Sequence, residues 1–317
     1  MPRQTLTVII PVLNEDLMVV ALEAALTPVL DTLDLDWSVV FVDDGSTDKT
    51  LEKIRAINQR DGRYRAISFS RNFGKEPAMA AGLQMADSDA VVIMDADLQH
   101  PPSYLPEFVA RWREGNKLVF GQRLQRDADP LARRVYSAIF HRVYGWMTGA
   151  RLPEGIVDFV LLDRSSVKAL NQLEERSRFT KGLFTWVGFN TAVVPFASPE
   201  RFAGKTTFNT LKLLRFALDG LVSFTTLPLR VWSYVGAVVS LGSLVYSVYF
   251  VIATLLYKTD VPGFPSLLVS IYFFAGIQLI SLGVIGEYVG RIFEEVKRRP
   301  LYVVAAEVGM PQAGPDA

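Results

Sequence analysis

The chain has 317 residues, enough for one sizeable domain plus something smaller. Its 33 basic and 33 acidic residues cancel, so no global field draws it to nucleic acid. No cysteine is present and His100 and His141 are the only imidazoles, which excludes disulfides, thiolate zinc sites, cysteine nucleophiles and histidine-rich metal centres.

In chain order, Met1 to Gln4 lead straight into a strand-like run, Leu6 to Leu13, which predicts no secretory signal ahead of it. Helix-compatible sequence follows from Asp16 to Leu33. Trp37 to Val42 forms a second strand, broken at Asp43-Asp44-Gly45-Ser46-Thr47-Asp48, a turn that opens a helix to about Asn58. Tyr64 to Ser70 gives a third strand and Pro77 to Met85 a helix. Val91-Val92-Ile93-Met94 reads as a fourth strand buried on both faces, and Leu118 to Gly121 as a fifth. A helical stretch rich in arginine and aromatics runs from Leu131 to Met147, and Asp158 to Leu162 and Thr191 to Phe196 are two further strands. Strands alternating with helices predict an α/β fold built from βαβ units on a mostly parallel, Rossmann-like sheet.

The composition shifts at Phe208. Leu211, Leu213, Leu214, Phe216, Leu218 and Leu221 alternate with Lys212, Arg215 and Asp219, which suits an amphipathic helix on a membrane surface. Val231 to Tyr257 and Val261 to Gly286 then carry no charge, and each exceeds the roughly 20 apolar residues that cross a bilayer. Lys205, Lys212, Arg215 and Arg230 precede these runs, and Arg291, Lys297, Arg298 and Arg299 follow them. That distribution predicts both termini on the cytoplasmic side. The expected organisation is a cytoplasmic catalytic domain over 1–205, a juxtamembrane helix over 206–229, a two-helix transmembrane hairpin over 230–290 and a basic cytoplasmic tail over 291–317. Beyond Tyr302, the glycines and prolines at Gly309, Pro311, Gly314 and Pro315 predict disorder.

The chemistry concentrates where strands end. On a continuing strand Asp95 and Asp97 face the same way, and two crowded carboxylates repel unless a cation or proton lies between them. Mg²⁺ or Mn²⁺, itself holding phosphate oxygens, suits such a pair. Taken alone, the same acids read as caps ahead of the helix start at Pro101-Pro102, and Asp43-Asp44-Gly45-Ser46 as a turn with a helix cap. Pro11 to Glu15, Asp43 to Ser46 and Asp95 to Gln99 nevertheless fall on one edge of the sheet. Acids there suit a base and ribose, which offer N–H and hydroxyl donors, with a metal bridging to diphosphate.

Together, Ile9-Ile10-Pro11-Val12-Leu13-Asn14-Glu15, Val42-Asp43-Asp44-Gly45-Ser46, Asp95-Ala96-Asp97-Leu98-Gln99 and Gly121-Gln122-Arg123 resemble glycosyltransferase family 2, of GT-A fold. Ser70 to Ala78 (Ser-Arg-Asn-Phe-Gly-Lys-Glu-Pro-Ala) and Gly286-Glu287-Tyr288-Val289-Gly290-Arg291 resemble its polyprenyl-phosphate branch. Pro265 to Ile271 is most similar to bactoprenol glucosyltransferases of the O-antigen glucosylation type. The resemblance implies that Pro11, Leu13, Glu15, Asp44, Lys75, Asp95, Ala96 and Asp97 bind the nucleotide sugar. It implies that Asp95, Asp97 and Gln99 hold Mg²⁺ or Mn²⁺, and that Arg123, Arg133, Arg134, Arg201 and Lys205 meet the lipid phosphate. Asp97, Asp158 and Arg123 would be the catalytic residues. Related chains usually carry an aromatic at the Leu13 position and a Gly-x-Ser/Thr-Lys loop where Gly204 here is followed directly by Lys205.

The resemblance further implies a UDP-sugar donor, an undecaprenyl (polyprenyl) phosphate acceptor, membrane lipid contact and a homo-oligomer, multi-pass in a bacterial plasma membrane. Such an acceptor, with a second pKa of about 6, is a nucleophile near neutral pH without a strong base. Alignment and charge neutralisation are what the site must supply. Three alternatives stand beside this expectation. A polysaccharide synthase usually carries Gln-x-x-Arg-Trp, whereas Phe108 lies three residues before Arg111-Trp112. A non-catalytic nucleotide-binding module would not need Asp95 and Asp97. Another donor sugar (mannose, an N-acetylhexosamine or an aminoarabinose derivative) would leave the mechanism unchanged.

Overall fold

A computed structural model describes residues 3–124, 155–173, 175–176, 180–197, scattered positions between 232 and 256, and 263–310. The predicted helix over 131–147, the juxtamembrane helix over 206–229, and Arg133, Arg134, Arg201 and Lys205 lie outside the described residues. The chain divides into two compact units, Met1–Leu214 with Arg299–Ala317, and Arg215–Arg298.

The first unit is an α/β domain. Its strands are β1 Thr5–Val12, β2 Asp36–Asp43, β3 Tyr64–Phe69, β4 Ala90–Ile93, β5 Leu118–Arg123, β6 Ile156–Asp163, β7 Thr191–Phe196 and β8 Val304–Val308. Its helices are α1 Met18–Leu30, α2 Thr50–Arg60, α3 Lys75–Met85, α4 Leu105–Arg113, α5 Arg164–Asn171 and α6 Thr180–Trp186. One sheet runs in the order β7-β5-β6-β4-β1-β2-β3-β8. β1 pairs in parallel with both β2 and β4, so strand order reverses between β4 and β1. A crevice at the carboxyl ends of strands opens at such a switch point.

Each element follows from its side chains. The central strands are Val- and Ile-rich because both sheet faces are covered; Val8, Ile9, Ile10, Val91, Val92 and Ile93 are all inaccessible to solvent. Helix α1 buries Met18, Val19, Leu22, Leu26 and Leu30, and α4 buries Leu105, Phe108, Val109 and Trp112, each a one-sided helical stripe. Helix α3 instead buries a run of small residues, Ala78, Ala80, Ala81 and Gly82. A methyl at Gly82 would come within 2.3 Å of Ile9 Cγ2, so this glycine lets α3 approach β1 closely.

The sheet is mostly parallel, as expected, with β6 antiparallel to both of its neighbours, β4 and β5. Two expectations need correction. β4 ends at Ile93, so Asp95 and Asp97 lie in a loop and strand alternation does not orient them. The tail is not structureless directly after Tyr302: Val304–Val308 adds antiparallel to β3, and Val308 packs against the core, while residues 311–317 lie outside the described residues. This short alternating strand covers the edge of β3, which would otherwise be open.

In the second unit, α7 is Phe264–Val296. Among the described residues one stretch, Ser270–Val296, is long and apolar enough to cross a membrane, where two were expected. Every described residue between 232 and 256 is helical, with Tyr234, Val238, Leu241, Val245, Tyr249 and Leu256 exposed.

Asp163, where β6 meets α5, gives a stability test. Its Oδ1 accepts Ser165 N and Lys117 Nζ, both at 2.9 Å, and its Oδ2 accepts Trp112 Nε1 at 2.9 Å. Burial opposes the charge, but these donors outweigh it and hold the carboxyl at about 2, below its ordinary 3.8. A depressed folded pKa stabilises above the unfolded pKa, and that contribution is lost as pH falls from about 4 to about 2. Asp163→Asn is expected to cost about 1–2 kcal/mol near neutral pH and to flatten the acid limb of stability in that window. Denaturant unfolding at stepped pH, followed by tryptophan fluorescence, measures both.

Candidate active site

The loops after β1 and β2 are stitched together. Asn14 Oδ1 accepts Thr47 N at 2.9 Å, Asn14 N donates to Ser46 Oγ at 2.9 Å, and Glu15 N donates to Thr50 Oγ1 at 2.9 Å. This leaves Pro11 and Glu15 half-buried and Leu13 exposed on the loop beyond β1. Gly45, at φ +73°, allows the β2 loop to pass Arg71; a methyl there would lie 2.5 Å from the Arg71 carbonyl carbon.

Asp44 is buried, and its two oxygens accept Phe73 N at 2.6 Å and Gly74 N at 2.9 Å. Burial pushes its pKa up, against the pull of those two donors. The acid expected to meet a nucleotide therefore fixes the Arg71 to Gly74 loop, which delivers Lys75 at the start of α3.

The Asp95 to Gln99 loop is held by a residue that sequence reasoning passed over. His100 is buried, stacked on Phe159 with centroids 5.2 Å apart, and its Nδ1 accepts Asp95 N at 3.0 Å. Nδ1 is thus unprotonated and the ring neutral, in keeping with a pKa that burial lowers. Asp97 Oδ1 accepts Gln99 N at 3.1 Å, closing a turn over Leu98, whose φ is +57°. A left-handed leucine costs about 1–2 kcal/mol, strain of the kind that collects at functional loops. Asp95, Asp97 and Gln99 are all half-buried beside the buried Ala96.

The antiparallel course of β6 builds the rest. Ile93, the last residue of β4, pairs with Val160; Asp158, two residues before Val160 on β6, and Asp95, two residues past Ile93, share a lysine. Between these acids stands Lys75, its Nζ 2.5 Å from Asp95 Oδ1 and 2.7 Å from Asp158 Oδ2. Lys181, from α6, reaches Asp158 Oδ1 at 3.3 Å. Burial disfavours the charges, yet Lys181 and Lys75 hold the Asp158 carboxyl well below the usual carboxylate range. Burial likewise opposes the Lys75 ammonium, but Asp95 and Asp158 hold its pKa above the ordinary lysine value. Glu76, next to Lys75, accepts Thr180 N at 3.2 Å and also the Thr180 hydroxyl, tying α3 to α6 at the residue before Lys181. Burial raises the Glu76 pKa.

The structure therefore brings Lys75, Asp95 and Asp158 together and adds Lys181, Glu76, Thr180 and His100. Arg123 ends β5 with an exposed side chain, its backbone N donating to Gly155 O at 3.1 Å. Among the described residues no three acids or imidazoles form a ready-made metal cage. The donors still suit a hard divalent cation: they are carboxylate and amide oxygens, and Asp95 already holds a cation, the Lys75 ammonium, at 2.5 Å.

Comparison with known proteins shows the family. A profile described as glycosyl transferase family 2 matches residues 7–170, from β1 through most of α5. An uncharacterized glycosyltransferase of Synechocystis sp. is 45% identical over 300 residues, 95% of this chain and 94% of that one. A prophage-derived bactoprenol glucosyl transferase of Shigella flexneri is 40% identical, covering 94% and 97%. A prophage bactoprenol glucosyl transferase homolog of Escherichia coli is 37% identical, covering 94% and 98%. A solved structure, glucosyl-3-phosphoglycerate synthase from Mycobacterium tuberculosis with Mn²⁺, UDP-glucose and phosphoglyceric acid, is 22% identical over 69% of this chain and 79% of that one, at a TM-score of 0.46. With its sheet of GT-A type, its acid-bearing loop after β4 and a profile match across more than half its length, the chain belongs to glycosyl transferase family 2 and is a glycosyltransferase.

Proposed function

We propose that this enzyme transfers glucose, with inversion, from UDP-glucose to undecaprenyl phosphate at the cytoplasmic face of a bacterial plasma membrane. The observation that carries the proposal is the near end-to-end match to bactoprenol glucosyl transferases, through the membrane-type segment as well as the catalytic domain. In this reading Pro11, Leu13, Glu15 and Asp44 line the base and ribose, and Lys75 and Ala96 join them in binding the nucleotide sugar. Asp95, Asp97 and Gln99 would hold Mg²⁺ or Mn²⁺, which when bound neutralises the donor diphosphate and favours its departure.

An oxygen of the acceptor phosphate attacks the anomeric carbon while the bond from that carbon to the β-phosphate oxygen breaks. The products are the lipid-linked glucosyl phosphate and UDP. The acceptor is already ionised, so no side chain must take its proton. Asp158 serves instead to orient Lys75 and Lys181. Arg123, together with Arg133, Arg134, Arg201 and Lys205, supplies further cations for the acceptor phosphate.

A membrane hairpin belongs to the same proposal. In this proposal the chain between β7 and β8 enters and leaves the bilayer on the same side, a reading supported by the pairing of β8 with β3 in the same sheet. Ser270–Val296, at about 1.5 Å per residue, exceeds the roughly 30 Å hydrocarbon core. The second span in this proposal is the stretch between 232 and 256, whose described residues are helical and include exposed apolar side chains. The assembly is a homo-oligomer in this account.

Transfer of radiolabelled sugar to undecaprenyl phosphate from a panel of UDP- and GDP-sugars, with Mg²⁺, Mn²⁺ or EDTA, tests the proposal. Metal-dependent labelling from UDP-glucose is the expected result. Labelling from another donor would overturn the choice of glucose, and no lipid labelling from any donor would overturn the reaction itself.

A further inference from the structure

We infer that Lys75 is the resident counter-ion of the metal-binding acids, and that a divalent cation binds Asp95 by displacing the Lys75 ammonium toward Asp158 and Lys181. The inference rests on the proposal that Asp95 and Asp97 hold a divalent cation. Lys75 Nζ lies 2.5 Å from Asp95 Oδ1, closer than a cation bound to that oxygen would tolerate beside itself. A divalent ion coordinated by that oxygen at about 2.1 Å would meet the ammonium at short range, and two like charges there repel strongly. Lys75 has somewhere to go. Asp158 Oδ2 is only 2.7 Å away on its other side, so a small swing trades a bridge between two acids for a pair with one.

The displaced ammonium then pairs with Asp158 alone, beside Lys181 on the same carboxylate, and is no longer shared with Asp95. A dianionic phosphate is drawn to paired ammonium groups. Binding at the Asp95 end therefore prepares the Asp158 end for an anionic acceptor. The structure also confines this behaviour to Lys75: Lys181 contacts Asp158 at 3.3 Å from the far side, and its ion pairs among the described residues do not include Asp95. Asp44, through Phe73 N and Gly74 N, sets where Lys75 begins.

The test is Mn²⁺ binding to the detergent-solubilised full chain, read by electron paramagnetic resonance of free Mn²⁺, with neither donor nor acceptor present. Lys75→Met and Lys75→Gln are both expected to bind Mn²⁺ at least about fivefold more tightly than the unsubstituted protein, since the competing cation is gone. Lys181→Met is expected to stay within about twofold, because its ammonium does not compete at Asp95. Transfer activity should fall in all of them, so affinity and activity move in opposite directions in the Lys75 variants. Unchanged or weaker Mn²⁺ binding by both Lys75 variants would overturn the displacement. Equal tightening in Lys181→Met would overturn it too, by showing a general field effect. Absence of Mn²⁺ binding from every form would overturn the metal assignment itself, a result distinct from either.

Discussion

Asp97→Asn is expected to lower sugar transfer by about a thousandfold while shifting the thermal midpoint by no more than about 3 °C. The substitution separates two duties of one side chain. Asp97 Oδ1 accepts Gln99 N at 3.1 Å and closes the turn in which Leu98 is left-handed. An asparagine oxygen can accept the same bond, so the loop keeps its shape and the turn's contribution of about 1 kcal/mol survives. The amide lacks the negative charge that attracts a divalent cation, and its oxygen is a much weaker ligand for one. Asp97→Ala, which loses both duties, should be as inactive and somewhat less stable. Transfer assays in Mg²⁺ and Mn²⁺ alongside thermal melts distinguish the cases. If Asp97→Asn kept more than about a tenth of the activity while Asp97→Ala kept none, Asp97 would be a loop former and the metal would sit elsewhere.

Much of the fold was legible because the core strands declare themselves. Val91 to Met94 cannot be solvated on either face, and Leu6 to Val12 alternates little for the same reason. Direction was not legible. The apolar run that became β6 has the same period whether it runs parallel or antiparallel, and its antiparallel pairing with β4 is a tertiary choice that the pattern does not reveal. Asp158 itself was found through family resemblance, whereas its second lysine was not. Lys181 sits in a short helix with no strong pattern, placed by the Glu76–Thr180 contact between residues far apart in sequence. His100 was read only as one of two imidazoles, too few for a histidine-rich metal centre. Its role is to accept Asp95 N from within the core, a tertiary contact that spacing does not reveal. β8 was missed because Val304 to Val308 is stable only as the cover of an edge, and edge pairing is decided by the partner strand.

Asp158→Asn is expected to lower kcat/KM for the acceptor by about a hundredfold without moving the acid limb of the pH profile. A general base must be deprotonated yet hold its proton well enough to take one, which asks for a pKa near the working pH. Asp158 is at the opposite extreme. Despite burial, Lys181 and Lys75 hold its carboxyl far below the ordinary range, so near neutral pH it is a poor proton acceptor. The titrating group that limits the reaction in acid is then the acceptor phosphate, with a second pKa of about 6. Activity should rise through about pH 6 in the unsubstituted enzyme and in Asp158→Asn alike, with only the plateau lowered in the variant. The loss arises because two ammonium groups lose the carboxylate that aligns them, Lys75 at 2.7 Å and Lys181 at 3.3 Å. Two consequences separate this account from base catalysis. Lys181→Met should raise KM for the acceptor more than it lowers kcat, and the double variant should be little worse than the poorer single one, since both changes dismantle the same alignment. A base at Asp158 would instead give a variant whose residual rate climbs with hydroxide across the neutral range, with its limb near pH 6 gone. It would also make the loss at Lys181 additive to the loss at Asp158, because proton transfer and phosphate alignment would then be separate contributions to the barrier.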